Sequence, residues 1–131
     1  MLPARWLCDE HLLGEHSEMH QAAGTIANHP HGEAVVRGHA EKGNLETALI
    51  EVRHAQVSVE MELRGMEHDS PLQDFNDPGV GRIGGDDVRR NLGDLCRRCT
   101  DCRARVAADE YRRYRLGSMA RFAKHFERKA L

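Results

Sequence analysis

An all-α protein of four to five helices is what this sequence predicts, and three observations carry that expectation. Apolar residues recur at i, i+4, i+7 and i+11 through most of the chain, the stripe of a helix packed on a core. Aromatic residues make up only 5% of it, too few for the paired inner faces of a β-sandwich. Glycine and proline gather between the periodic segments, where they punctuate helices. At 131 residues, the length suits one domain, residues 1–131, around one sizeable core.

The first helix is expected from Pro3 or Ala4 to Ala23, with Gly24 as its stop. Leu12, His16, Met19 and Ala23 form its core stripe. His11, Glu15 and Glu18 share a second face, a right angle or more away. Asn28 to Gly32 reads as a turn. A short helix over about 33–42 ends at Gly43. Asn44 is placed to cap a third helix whose stripe is Leu45, Leu49, Val52, Ala55/Gln56, Val59 and Leu63, with Gly65 closing it. Residues 66–85, rich in Pro and Gly, form a long loop, of a kind that is often functional. Asp86 or Asp87 is expected to cap a fourth helix with the seam Val88, Leu92, Leu95, Cys99, Cys102 and Val106, running to about Leu116. Gly117-Ser118 then starts a last helix with Leu116, Met119, Phe122, Ala123 and Phe126 on its apolar face.

Charge divides the chain. Residues 1–96 carry 8 Lys and Arg against 17 Asp and Glu, whereas residues 97–131 carry 11 against 4. A polyanion is drawn to the last third and repelled by the body, or the basic segment pairs with the acidic one. Tyr111-Arg112-Arg113-Tyr114-Arg115, with Arg121 and Lys124 beyond, interleaves guanidinium groups with rings that stack on bases; the same pattern also makes a solvated basic face. No apolar run reaches the length of a membrane span and no signal peptide is evident, so the expectation is a cytoplasmic protein with reduced cysteines and no membrane partner.

His11, Glu15 and Glu18, about a turn apart, suit a metal, a proton transfer or plain solvation. Cys96-X-X-Cys99-X-X-Cys102 has the spacing of a zinc site, with Cys8 or a histidine as fourth ligand. Two arguments oppose it. Structural zinc sites take thiolates from turns, whereas this run falls inside a predicted helix. Cys99 and Cys102 also occupy seam positions, where free Cys behaves as a small hydrophobe. The expectation is therefore no metal and no cofactor, with Cys96, Cys99 and Cys102 the fallback ligands. His29, His31, His39, His54 and His68 are scattered, and His54 reads as a hydrogen-bonded packing residue. No phosphate-binding glycine loop, nucleophile elbow or paired-histidine zinc motif occurs.

The block from Leu7-Cys8 through His11-Leu12-Leu13-Gly14-Glu15-His16, Glu18 and His20 resembles the pyrimidine-dimer DNA glycosylases of the phage T4 endonuclease V type, their prokaryotic relatives above all. Arg53-His54, Glu60-Met61, Arg64-Gly65 and His68-Asp69-Ser70-Pro71-Leu72 extend the resemblance over residues 7–72. It implies an all-helical enzyme that acts on damaged duplex DNA as glycosylase and AP lyase. In that chemistry the N-terminal α-amine, here Met1, attacks the sugar carbon and expels the base as an imine forms. Such an α-amine ordinarily titrates about 2.5 units below a lysine, so about a tenth of it is the free nucleophile at neutral pH, far more than for a lysine. Glu18 holds the place of the catalytic glutamate, which stabilises the cationic sugar and manages protons. His11 and Glu15 are expected to orient it, and Arg112, Arg113, Arg115, Arg121 and Lys124 to meet phosphates. Ser17 and Gln21 stand where the phage enzyme has arginines. Two other readings share these residues: a non-catalytic module that binds nucleic acid or a ribonucleoprotein, and a metal-binding protein.

Overall fold

In the computed structural model, the backbone is described for residues 1–129 and the side chains for residues 1–117. The protein is all-α. A 3-10 turn at Ala4–Trp6 precedes α1 (Asp9–Asn28) and α2 (Gly32–Ala40). A second 3-10 turn, Thr47–Leu49, leads directly into α3 (Ile50–Leu63). After a long loop come α4 (Gly85–Arg98) and α5 (Thr100–Lys129).

α1 packs against both α2 and α3. Its predicted stripe faces inward, with Leu12, Met19 and Ala23 buried and His16 half-buried. Two clusters form the core. Met19 and Ala23 meet Val36, Leu45 and Ile50, with Leu72 and Phe75 of the loop packed on them. Leu7 and Leu12 meet Val57 and Met61.

Several boundaries differ from the sequence expectation. α1 starts at Asp9, because Leu7 and Cys8 are extended and buried. It runs through Gly24 to Asn28. Packing of Ala23 and Ile26 on the core outweighs the roughly 1 kcal/mol that a helical glycine costs. α2 ends at Ala40. Asn44 caps nothing, since Glu46 and the second 3-10 turn intervene before α3. The end at Gly65 is as expected: at φ 76° it lets the Met66 N–H reach the Met61 carbonyl at 2.9 Å.

The stripe expected on α3 is displaced around the helix. Ile50, Arg53, His54, Val57, Ser58 and Met61 are buried, while Val52, Val59 and Leu63 face solvent, Leu63 at 77% exposure. Polar residues took the inward face because they find partners there: Glu15 for Arg53, His20 for His54 and the His54 carbonyl for Ser58.

α4 starts at Gly85 with Gly84 as its N-cap, so Asp86 and Asp87 lie inside its first turn and do not cap it as expected; Asp87 instead reaches back to accept the Gly84 N–H at 2.9 Å. The single helix expected from there to Leu116 is broken at Cys99, whose backbone is extended (φ −129°, ψ 110°). α5 then passes Gly117-Ser118 unbroken. Met119, Phe122, Ala123 and Phe126 lie outside the described side chains.

The 66–84 segment has no regular structure, as expected, yet it is tied down. Thr47 and Val80 exchange bonds, N–H to carbonyl at 2.9 Å and N–H to Oγ1 at 2.9 Å, and the Thr47 hydroxyl donates to Asp77 at 2.6 Å. Gly81 (φ 83°) passes so close to Leu45 that a Cβ would lie 2.2 Å from its carbonyl oxygen. α5 docks on the first turn through Asp109, which accepts the Trp6 indole N–H at 2.8 Å and pairs with Arg5 at 3.1 Å and Arg113 at 3.5 Å.

Gly81→Ala is expected to lower stability by about 2 kcal/mol in urea unfolding, from positive φ and the carbonyl contact together. Gly38→Ala, inside α2 with nothing within 4 Å of the new carbon, is expected to raise it by about 0.5 kcal/mol. Asp109 is held down to about 2, by Arg5 first and then Trp6. Its contribution is thus complete above the ordinary value of 3.8 and disappears as pH falls through about 2. The gap in urea midpoint between the protein and Asp109→Asn should therefore be open at neutral pH and close across that window.

Candidate functional site

A cleft of about 310 Å³ opens where the N-terminus crosses α1 and α3. Met1 and Leu2 line it beside Glu15 and Glu18 from α1 and Arg53 from α3. Arg53 organises this corner. It is 3% exposed and holds Glu15 with both arms of its fork, Nη2 lying 2.9 Å from Oε2 and Nε pairing with Oε1. Its Nη1 donates to the Leu2 carbonyl at 2.7 Å and to Gln56 at 3.3 Å. One guanidinium thereby fixes a carboxylate of α1 and the backbone next to Met1.

Glu18 lies one turn beyond Glu15 on the same face. Desolvation, then the charge of Glu15, raises its pKa; His39 and His11 oppose this more weakly. Glu10 and Glu46 add further carboxylates to the wall. The cleft therefore favours cations and protonated intermediates over phosphate.

Of the residues singled out by sequence, Met1, His11, Glu15 and Glu18 all line this cleft. Glu15 spends both oxygens on Arg53. His11 turns its Nδ1 to sulfur, 3.1 Å from Cys8 and 3.5 Å from Cys102. Arg112, Arg113 and Arg115 are exposed on α5, Arg113 leaning on Asp109. Arg121 and Lys124 lie outside the described side chains.

The sulfur cluster exists because the helix breaks at Cys99. That break removes the argument that the cysteine run lies within a helix. Cys8 and Cys99 sulfurs stand 3.8 Å apart. The Cys8 N–H donates to Cys102 Sγ at 3.1 Å, and the Cys102 N–H to Cys99 Sγ at 3.4 Å. Burial pushes the Cys102 thiol up to about 12, while the Cys102 backbone N–H lowers Cys99. Cys96, half-buried on α4, is outside this group.

A second cluster was missed by sequence. His16 and His20 of α1, His54 of α3 and His68 of the loop bring four ring nitrogens within 4.8 Å of one another. Burial, then His20, lowers the His16 pKa; burial first, then His20, His16 and His68, brings His54 down to about 4. His54 is a buried, hydrogen-bonded histidine, as its sequence position suggested, but its 3.1 Å partner is another histidine, His20. The i, i+4 spacing of His16 and His20 was the available signal.

Fold and site together define an all-α protein with a carboxylate-walled cleft at its N-terminus. The chain belongs to the pyrimidine dimer DNA glycosylase family, whose model matches residues 1–74. That span contains α1 to α3, Met1, Glu15, Glu18 and Arg53, and agrees with the resemblance over 7–72. A search of the curated proteins finds no match, and neither does a search of the solved structures.

Arg53→Met removes the partner of a largely buried carboxylate and releases Leu2. We expect a loss of about 3 kcal/mol in urea unfolding. Amide exchange in residues 4–7 should also accelerate more than exchange in α2.

Proposed function

We propose that this protein is a DNA-lesion glycosylase with AP-lyase activity, acting on damaged duplex DNA through imine chemistry at the Met1 amine. The supporting observation is that Met1 and Glu18 line one cleft, with the Leu2 carbonyl held by Arg53. The amine nitrogen bonds to the anomeric carbon while the base departs with the glycosidic electrons and acquires a proton. The nitrogen then gives up a proton, the C1′–O4′ bond breaks with its electrons leaving on O4′, which takes a proton to become a hydroxyl, and the protonated imine forms. Glu18 as carboxylate stabilises the cationic sugar, then takes a proton from the neighbouring carbon so that the 3′ phosphate leaves. Glu15, held by Arg53, keeps negative charge beside Glu18 and favours its taking a proton. His11 lies on the same face of α1 and lines the same cleft, where it helps to position the carboxylates. The target nucleotide must leave the stack to reach the cleft. Phosphates are repelled by the acidic walls and are met by Arg112, Arg113 and Arg115, with Arg121 and Lys124 further along α5.

Borohydride in the presence of abasic-site duplex should trap a covalent adduct at the N-terminal residue, identified by peptide mass. No adduct from intact protein, under conditions where a known lyase is trapped, overturns the reading. Glu18→Gln should slow strand cleavage by about 100-fold or more. Because the Glu18 pKa is raised, the ratio of the parent rate to the Glu18→Gln rate should fall on acidification at a pH above the ordinary value of 4.5, the amine being common to both proteins.

A second reading, a non-catalytic module for nucleic acid or ribonucleoprotein, draws on Tyr111 and Tyr114, which are 64% and 67% exposed beside Arg112 and Arg115. Arg112→Glu with Arg115→Glu should weaken binding to duplexes of any sequence and lower the salt slope by about 2. Binding that depends on these arginines, without any trapped adduct in the parent protein, favours the module.

A further inference from the structure

We propose that Cys8, His11, Cys99 and Cys102 hold one zinc ion, which staples the N-terminal segment to the start of α5. Their four donor atoms lie within 4.8 Å of one another. Tetrahedral zinc, with bonds of about 2.3 Å to sulfur and about 2.0 Å to nitrogen, separates two sulfurs by about 3.8 Å and a sulfur from a nitrogen by about 3.5 Å. Cys8 and Cys99 sulfurs are 3.8 Å apart, and His11 Nδ1 is 3.5 Å from Cys102 Sγ.

The backbone repeats the same device twice. Cys8 precedes α1 and Cys99 precedes α5, both with extended backbone. The second ligand of each pair, His11 or Cys102, follows three residues later, in the first turn of the helix. Each pair thus comes from a bend, as structural zinc sites require, and each sits at the positive end of a helix dipole, which favours thiolate. The N–H groups of Cys8 and Cys102 donate to sulfurs of the cluster, further stabilising negative charge there. A disulfide would use two sulfurs and leave the third and the imidazole aimed at it; zinc uses all four. Three thiols give up protons as the ion binds.

The test is the metal content of the full chain, purified without chelator and without a histidine tag. Cys102→Ser should lose one equivalent of zinc relative to the parent, and Cys96→Ser should keep it. Cobalt exchanged into the parent protein should show sulfur-to-metal charge transfer, a measurement that stands even if Cys102→Ser does not fold. Equal zinc in the parent and Cys102→Ser, no thiolate band with cobalt, or an intact disulfide between Cys8 and Cys99 overturns the site.

A separate observation carries a second site. His20 Nε2 lies 3.3 Å from His16 Nε2 and 3.1 Å from His54 Nε2. An imidazole nitrogen has one in-plane position, holding either a proton or a lone pair, so it satisfies only one of these contacts by hydrogen bonding. A divalent ion accepts all the lone pairs at once, and tetrahedral zinc spaces four imidazole nitrogens about 3.3 Å apart. The geometry therefore points to His16, His20, His54 and His68 as an all-imidazole site for a divalent first-row metal, tying α1, α3 and the loop together.

Zinc is the probe. The parent should carry two equivalents and His20→Gln one. Zinc-edge absorption of the parent should show more nitrogen than sulfur neighbours, which reads the site without a variant. A single equivalent that Cys102→Ser removes entirely, or a sulfur-dominated spectrum, overturns the second site and leaves the first. Both outcomes are independent of lyase activity.

Discussion

Arg53 is a full positive charge placed where the protein has almost no water, and the N-terminal third is arranged around it. A buried guanidinium is tolerable only when its donors are satisfied. Glu15 supplies the charge, and Leu2 and Gln56 supply carbonyl oxygens. The cost of leaving it unpaired makes three otherwise independent segments converge: the chain start, α1 and α3. The cleft is the space that remains between them, and Glu18 is on its wall because it lies one turn from Glu15.

The same logic explains why α3 turned away from its obvious apolar stripe. Val52, Val59 and Leu63 would bury more apolar area than Arg53, His54 and Ser58. The inward face instead carries groups whose partners exist only in the fold: Glu15 for Arg53, His20 for His54, and the His54 carbonyl and His68 for Ser58. Apolar burial is non-directional, so a modest core supplied by Leu12, Val57, Ile50 and Met61 suffices once these polar groups are paired. The result is a small protein held as much by polar convergence as by hydrophobic mass.

Cys99 shows how a single backbone angle changes the chemistry of a motif. In a continuous helix, Cys96, Cys99 and Cys102 would form one stripe of small apolar side chains. With Cys99 extended, the chain bends, Cys96 is left behind on α4, and Cys99 and Cys102 meet Cys8 and His11 from the other end of the sequence. Asp109, two helical turns beyond Cys102, secures the same junction through Trp6 and Arg5. The acidic body and the basic α5 are thus joined at the chain's first residues.

Local information was enough for the helical class, the stripe Leu12, Met19 and Ala23, the stop at Gly65, the long loop, and the face shared by His11, Glu15 and Glu18. Each follows from periodicity or from a backbone preference acting within a few residues. The start of α1, the rotation of α3, the break at Cys99 and both four-residue clusters were decided by contacts between positions 34 to 94 residues apart. Periodicity cannot see such contacts. A helix stripe reports which side chains avoid water, whereas a buried arginine, imidazole or thiol chooses its face by the partner it meets there.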